Sequence, residues 1–199
     1  ENIKENPLNS TEYNSKVLEL LNSIAGIKAE DLEIINNPVR LQGTLFAPKE
    51  AILNGINYFL EETENEKMEN VAMYTEKEYV TISVDYKVTK NITTPIEVKI
   101  SPKLNDNKDL VINIEEIKLL DIKLPKLIVN IVMDSFIKDW FPKEDNNIEF
   151  TKGAVIMDKE NFNEVDLENL EVKEDGLRIK AVIKLEEVIN KKGINKSDT

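Results

Sequence analysis

At 199 residues the chain is long enough to bury a substantial core, and 41% hydrophobic with 32% charged residues is the balance of a folded globular protein. Its net charge of −12 argues against a nucleic-acid partner and against adsorption to anionic lipid through a basic patch. Histidine and cysteine are both absent, which excludes Ser-His-Asp and Cys-His nucleophiles, thiolate zinc centres, imidazole acid–base chemistry and disulfides.

The chain opens at Glu1 on a polar run, and residues 1–13 read as a linker from which an N-terminal anchor or signal has been removed. A first helix is predicted from about Tyr13 to Ile24, where Val17, Leu18, Leu21 and Ile24 recur at helical spacing and Gly26 is placed to end it. Ala29 to Ile35 fits a helical turn or a strand equally. Val39, Leu41, Gly43 and Leu45 alternate with polar residues, as in a half-buried strand. Pro48 suits the first position of a second helix, with Ala51, Ile52, Gly55, Ile56, Phe59 and Leu60 along its apolar face. The acidic run Glu61 to Glu69 has no glycine for a calcium-loop turn and reads as a solvated helix end.

The clearest strand follows. Val80, Ile82, Val84, Tyr86 and Val88 alternate with Thr81, Ser83, Asp85 and Lys87. A turn near Asn91 leads to Ile96, Val98 and Ile100, and a second at Asn105–Asp109 leads to Leu110, Ile112 and Ile114. Short strands with short connections leave no room for parallel crossovers, so this is an antiparallel meander with one apolar face.

Lys118 to Pro142, KLLDIKLPKLIVNIVMDSFIKDWFP, then leaves the strands and enters a helix after Leu124-Pro125. Leu127, Ile128, Ile131 and Phe136 lie among Val129, Val132, Met133, Ile137 and Trp140, and only Asn130, Asp134 and Lys138 mark a polar edge. A helix apolar around most of its circumference calls for enclosure by other elements. Further strands are predicted at Ile148–Phe150 and Ala154–Ile156. Val165 to Val172 fits a strand or a helix, and Glu174-Asp175-Gly176 turns into a last strand from Leu177 to Leu185.

The expected fold is α+β: a curved antiparallel sheet wrapped around a long apolar helix, Pro125–Trp140, with N-terminal helices. A single domain covers residues 14–189, with a flexible tail over 190–199. No catalytic residue, metal ligand or cofactor is expected. Asp121, at the strand-to-helix junction, satisfies backbone donors as readily as it would do chemistry, and Ser135 with Lys138 is ordinary spacing on a polar helix edge. If the enclosed helix leaves a groove, it suits a lipid or other hydrophobic small molecule. The lining would be Leu124, Leu127, Ile128, Ile131, Val132, Phe136 and Trp140, facing Val80, Ile82 and Val84.

The order of meander, LLDIKLPKLIVNIVMDSFIKDWFP junction, IEFTKGAVIM and DLENLEVKEDGLRIKAVIKL resembles the YpmS-like family of bacterial envelope proteins over Pro38 to Leu185. Its landmarks are Leu124-Pro125 before the helix and Trp140-Phe141-Pro142 after it, while Asp121 and Lys126 stand where the family usually has a glycine and a second proline. More distantly the pattern is similar to tubular lipid-binding (TULIP-like) domains. The resemblance implies a non-enzymatic extracytoplasmic domain, tethered to a bacterial membrane through an N-terminal anchor, that binds a lipid-like ligand. The alternative is a fully packed interaction or scaffold module of the cell envelope without a ligand.

Overall fold

A computed structural model describes residues 26–62, 64–136, 148–151, 153–162 and 164–185. Two short strands, β1 (Lys28–Ala29) and β2 (Glu33–Ile35), precede β3 (Arg40–Pro48), which runs directly into helix α1 (Lys49–Glu62). The meander follows as β4 (Met68–Glu76), β5 (Tyr79–Lys87), β6 (Thr93–Leu104) and β7 (Leu110–Leu119). A two-residue strand, β8 (Ile122–Lys123), turns back from β7 and hands over to helix α2 (Lys126–Phe136). Then come β9 (Ile148–Thr151), β10 (Ala154–Met157), a 3-10 turn (Lys159–Phe162), and the hairpin of β11 (Val165–Lys173) and β12 (Gly176–Ile183).

All strand pairings are antiparallel, and they make two sheets. One has the order β1-β3-β12-β11, with β2 beside β1 on the same edge of β3. The other has the order β4-β5-β6-β7-β10-β9, with β8 also on β7. Helix α1 lies between them. Ile52, Leu53 and Ile56 pack with Met73 and Val80 of the larger sheet and Val172 of the smaller. One turn on, Ile56 and Leu60 join Met68, Val84, Ile96, Ile117 and Val155. The sheets are also stitched by polar contacts: the Glu78 amide donates to the Val172 carbonyl at 2.9 Å, and the Thr75 hydroxyl to the Glu174 carbonyl at 2.8 Å. The smaller sheet has its own core of Leu41, Val165, Ala181, Ile183 and Leu185.

The expectation of one curved sheet wrapped around a long apolar helix is therefore wrong: two antiparallel sheets form the fold. Helix α2 lies against the larger sheet instead of inside it. Of its side chains described from Lys126 to Ile131, only Val129 is buried, in the cluster with Val84, Ile96 and Ile117. Leu127 is 73% exposed, Ile131 60% and Ile128 40%. An apolar circumference marks a helix that could be enclosed; it does not supply the elements that enclose it. The predicted helix at Tyr13–Ile24, and Trp140 at the end of the apolar run, lie outside the described residues.

Strands dominate more than the alternation pattern implied, and β-bulges explain why. In β7 the register passes from Glu116 opposite Lys99 to Ile114 opposite Ile100, so Glu115 is an extra residue. It shifts the phase between Ile112-Ile114 and Ile117-Leu119, and the period-2 signal stops halfway along a continuous strand. In β4 a register shift between Glu69 and Ala72 places buried Met68 and Met73 five residues apart, hiding the strand inside an acidic run. In β11 the shift between Leu167 and Asn169 spaces Leu167, Leu170 and Val172 by three and then two, the spacing that also admits a helix there.

Candidate functional site

An antiparallel meander sends alternate turns to opposite ends of its sheet. The turn after β5 (88–92) and the turn after β7 (120–121) lie at the same end, where the Leu120 amide donates to the Pro95 carbonyl at 3.4 Å. Helix α2 begins three residues past β8, beside them. Among the described residues ten large apolar side chains are exposed, and seven belong to this end: Val88, Ile92, Leu120, Ile122, Leu127, Ile128 and Ile131. With six of them more than half exposed, they present on the order of several hundred Å² of aliphatic surface, beyond what scattered surface residues would give. The opposite end carries Lys77-Glu78 and Asn105 to Asp109 in its turns and none of these aliphatics.

The hairpin at this end is built against local preference. Leu120 and Asp121 sit at φ 52° and 63°, the left-handed conformations of a type I′ turn. Asparagine and glycine adopt them readily, whereas a left-handed leucine costs roughly 1–2 kcal/mol. The cost places a leucine, 60% exposed, at the tip. In the other turn the Val88 amide donates to the Ile92 carbonyl at 2.8 Å and the Asn91 amide to the Thr89 hydroxyl at 3.3 Å, which holds Ile92 outward at 55% exposure.

Lysines interleave with these aliphatics. Residues 87–92 and 118–131 hold Lys87, Lys90, Lys118, Lys123 and Lys126 against Asp121 alone, a net of +4 in a chain of −12. Lys87 pairs with Glu69 at 2.6 Å, and Lys118 and Lys123 approach Glu116 at 3.7 and 4.0 Å. The loop from α1 to β4 lies at the same end, where the Lys87 amide donates to the Lys67 carbonyl at 2.8 Å; with Glu61, Glu64, Glu66 and Lys67 counted beside both glutamates the lysines are balanced and the end is net zero. The hydrogen bond from Lys87 to Glu69 raises the ammonium above its ordinary pKa, so it stays charged.

The structure does not bring together the positions predicted to line a groove. Leu124 is half-buried against the core, with Val84 fully buried in the same cluster, and Val80 and Ile82 pack with Met73 and Val172 under α1. Leu127, Ile128 and Ile131 point the other way, to solvent. Val132 and Phe136 fall in α2, and Trp140 lies outside the described residues.

Other surfaces offer less. Edge strand β4 is bulged, edge strand β9 is four residues long, and edge strand β11 is bulged and studded with Asp166, Glu168 and Glu171, all devices that discourage strand addition. A cleft of about 150 Å³ by Lys108, Phe162 and Leu167 is too small for an acyl chain, and one of about 400 Å³ is walled by Lys77, Glu171, Lys173, Glu174 and Asp175. The outer face of the larger sheet is polar: the Tyr74 hydroxyl donates to the Glu97 carboxylate at 2.9 Å, and the Lys99 ammonium lies 4.4 Å from the centre of the Tyr79 ring. No described helix is long and apolar enough to cross a membrane.

Sequence alone does not single out these positions: Val88 reads as the last residue of an alternating strand, Ile92 falls in the turn near Asn91, and Leu120 and Ile122 flank Asp121 at the strand-to-helix junction. The available signal was their position: aliphatics at turn tips, where Gly, Asn or Asp is usual. No family model, curated protein or solved structure matches this chain.

Proposed function

We propose that the domain is a non-enzymatic binding module that works through the apolar, lysine-bearing end of its larger sheet. The carrying observation is that seven of the ten exposed large apolar side chains among the described residues gather there. Burying an aliphatic side chain contributes roughly 1.5–3 kcal/mol, so two or three of them exposed to this degree would anchor a ligand or partner. The apolar ligand class expected from the sequence is kept, but it meets the surface and does not enter the core. The setting we propose is the outer face of a bacterial membrane, on the strength of the resemblance of residues 38–185 to the YpmS-like family.

Native mass spectrometry of the purified chain, followed by organic extraction, tests this reading. The bare polypeptide mass is expected. A lipid of defined mass that co-purifies and survives gel filtration would mean an enclosed site and overturn it. Leu127→Asp with Ile131→Asp should also sharply reduce retention on a phenyl matrix without lowering stability; unchanged retention would place the apolar surface elsewhere.

A further inference from the structure

We infer that the apolar end is a contact between two copies of this chain, related by a two-fold axis that sets the acidic flank of one against the basic flank of the other. The inference rests on the binding-module reading above and names its partner. Three observations carry it.

The first is area. A standard interface takes about 800 Å² from each partner, of which about 450–520 Å² is apolar. Val88, Ile92, Leu120, Ile122, Leu127 and Ile131 are each more than half exposed, and Ile128 is 40% exposed. At roughly 100 Å² for a whole aliphatic side chain, seven at these exposures supply about 400 Å². The aliphatic stems of the neighbouring lysines add to it. One end of the larger sheet therefore holds nearly all the apolar surface that its half of a stable dimer needs.

The second is charge. The end is net zero, yet its charges are separated across the strand order β4-β5-β6-β7. On the β4 side, four carboxylates (Glu61, Glu64, Glu66 and Glu69) stand against Lys67 and Lys87, a net of −2. From the β5–β6 turn to α2, four lysines (Lys90, Lys118, Lys123 and Lys126) stand against Glu116 and Asp121, a net of +2. Strands β4 and β7 are three spacings apart, roughly 14 Å, which exceeds the screening length of about 8 Å at physiological ionic strength. The flanks therefore act separately. A surface with opposite signs on its two sides is complementary to itself when turned half round, as an isologous two-fold contact requires. Glu61, Glu64, Glu66, Lys90 and Lys126 stand in no ion pair among the described residues, so their charges are open to a partner.

The third is where two of these charges sit. Glu61 lies in the last turn of α1, and Lys126 opens α2. Each carries the sign that its helix end disfavours. Neither charge serves its own helix, whereas across the axis each faces the opposite sign.

The test is sedimentation velocity of the full chain from low to several hundred micromolar. A dimer in the micromolar range is expected, dissociating on dilution and so freeing the end to meet an apolar matrix. Leu127→Asp with Ile131→Asp should weaken it at least tenfold. Lys90→Glu with Lys126→Glu makes both flanks acidic, and Glu61→Lys with Glu66→Lys makes both basic. Each charge variant should stay monomeric where the parent dimerises, and an equal mixture of the two should associate again as a heterodimer. Glu61→Lys and Lys126→Glu suit their helix ends, so circular dichroism should match the parent, and the mixture keeps the test valid if the aspartates perturb α2. Association indifferent to the aspartate pair, or a mixture no more associated than its components, overturns the inference. So does a parent that stays monomeric throughout; if its phenyl retention still falls with the aspartate pair, the end has another partner and the binding-module reading stands. A monomer whose retention ignores the aspartate pair removes that reading as well.

Discussion

Val129→Ala and Leu127→Ala form a pair that tests how α2 is seated. The residues are two apart on one helix, and both lie in the stretch that sequence alone would enclose. Val129 is 6% exposed, against Val84, Ile96 and Ile117. Its truncation removes two carbons from the core at about 0.8 kcal/mol each, and the space left behind raises the loss to about 2–3 kcal/mol. Alanine's better helix propensity returns about half a kcal/mol. Leu127 is 73% exposed, so only about a quarter of a three-carbon transfer is at stake, roughly 0.6 kcal/mol before any propensity gain. Urea denaturation of both variants should give midpoints that differ by roughly 1 M, with slopes near 1–3 kcal/mol/M left unchanged. Equal and large losses would refute the reasoning, because they would mean that Leu127 is enclosed after all.

Two further outcomes are expected elsewhere in the fold. A Cβ at Gly43 would overlap the Asp31 carbonyl oxygen and sit 2.8 Å from Leu32 Cδ2, so Gly43→Ala should cost about 3 kcal/mol and lower Tm by roughly 10 °C; a melting curve within a degree or two of the parent would show that β3 and residues 31–32 are not in contact. The Tyr74 hydroxyl donates to Glu97, and ionising it would set a phenolate against that carboxylate, so its pKa is raised above 10.0. A raised folded-state pKa means that the stabilisation is present below the ordinary phenol range and is lost as pH rises through the higher folded value. Tyr74→Phe should therefore remove the late-titrating part of the tyrosinate absorbance on alkaline titration, and loss of only an ordinary tyrosine's share would contradict the contact.

Legibility from sequence follows the continuity of period-2 alternation. β5 has no bulge, and Val80, Ile82, Val84 and Tyr86 of its alternating series pack inward, whereas Val88 falls past the strand and is exposed; the turn at Asn105–Asp109 is present. Where one extra residue enters a strand, at Glu115, in 69–72 or at Glu168, the same local rule loses phase, although pairing in space continues. The α2 error has a different origin. Hydrophobicity reports what a side chain would prefer to leave, and Leu127 and Ile131 have the pattern of enclosed residues yet are 73% and 60% exposed. The gathering of aliphatics at one end was invisible for a third reason: Ile92 and Leu120 share an end only once β5, β6 and β7 are laid antiparallel.

The Leu120-Asp121 turn offers a test in which stability and function should move in opposite directions. In the sequence these two residues follow a strand and would pass for its frayed end. In the fold both are left-handed, with Leu120 exposed at the tip, so the position favours what leucine supplies least. Leu120→Asn with Asp121→Gly installs the pair that a type I′ hairpin prefers. It relieves roughly 1–2 kcal/mol of backbone strain, from which the added freedom of glycine in the unfolded chain subtracts a fraction. A net gain near 1 kcal/mol is expected, read as a higher urea midpoint. The same change removes an aliphatic tip, so retention on a phenyl matrix should fall. A residue kept only for the fold would show the reverse: if Leu120 packs against its neighbours, the double variant loses stability, and the tip is structural. Gain of stability with loss of binding is the signature of a turn shaped by what it touches outside the molecule.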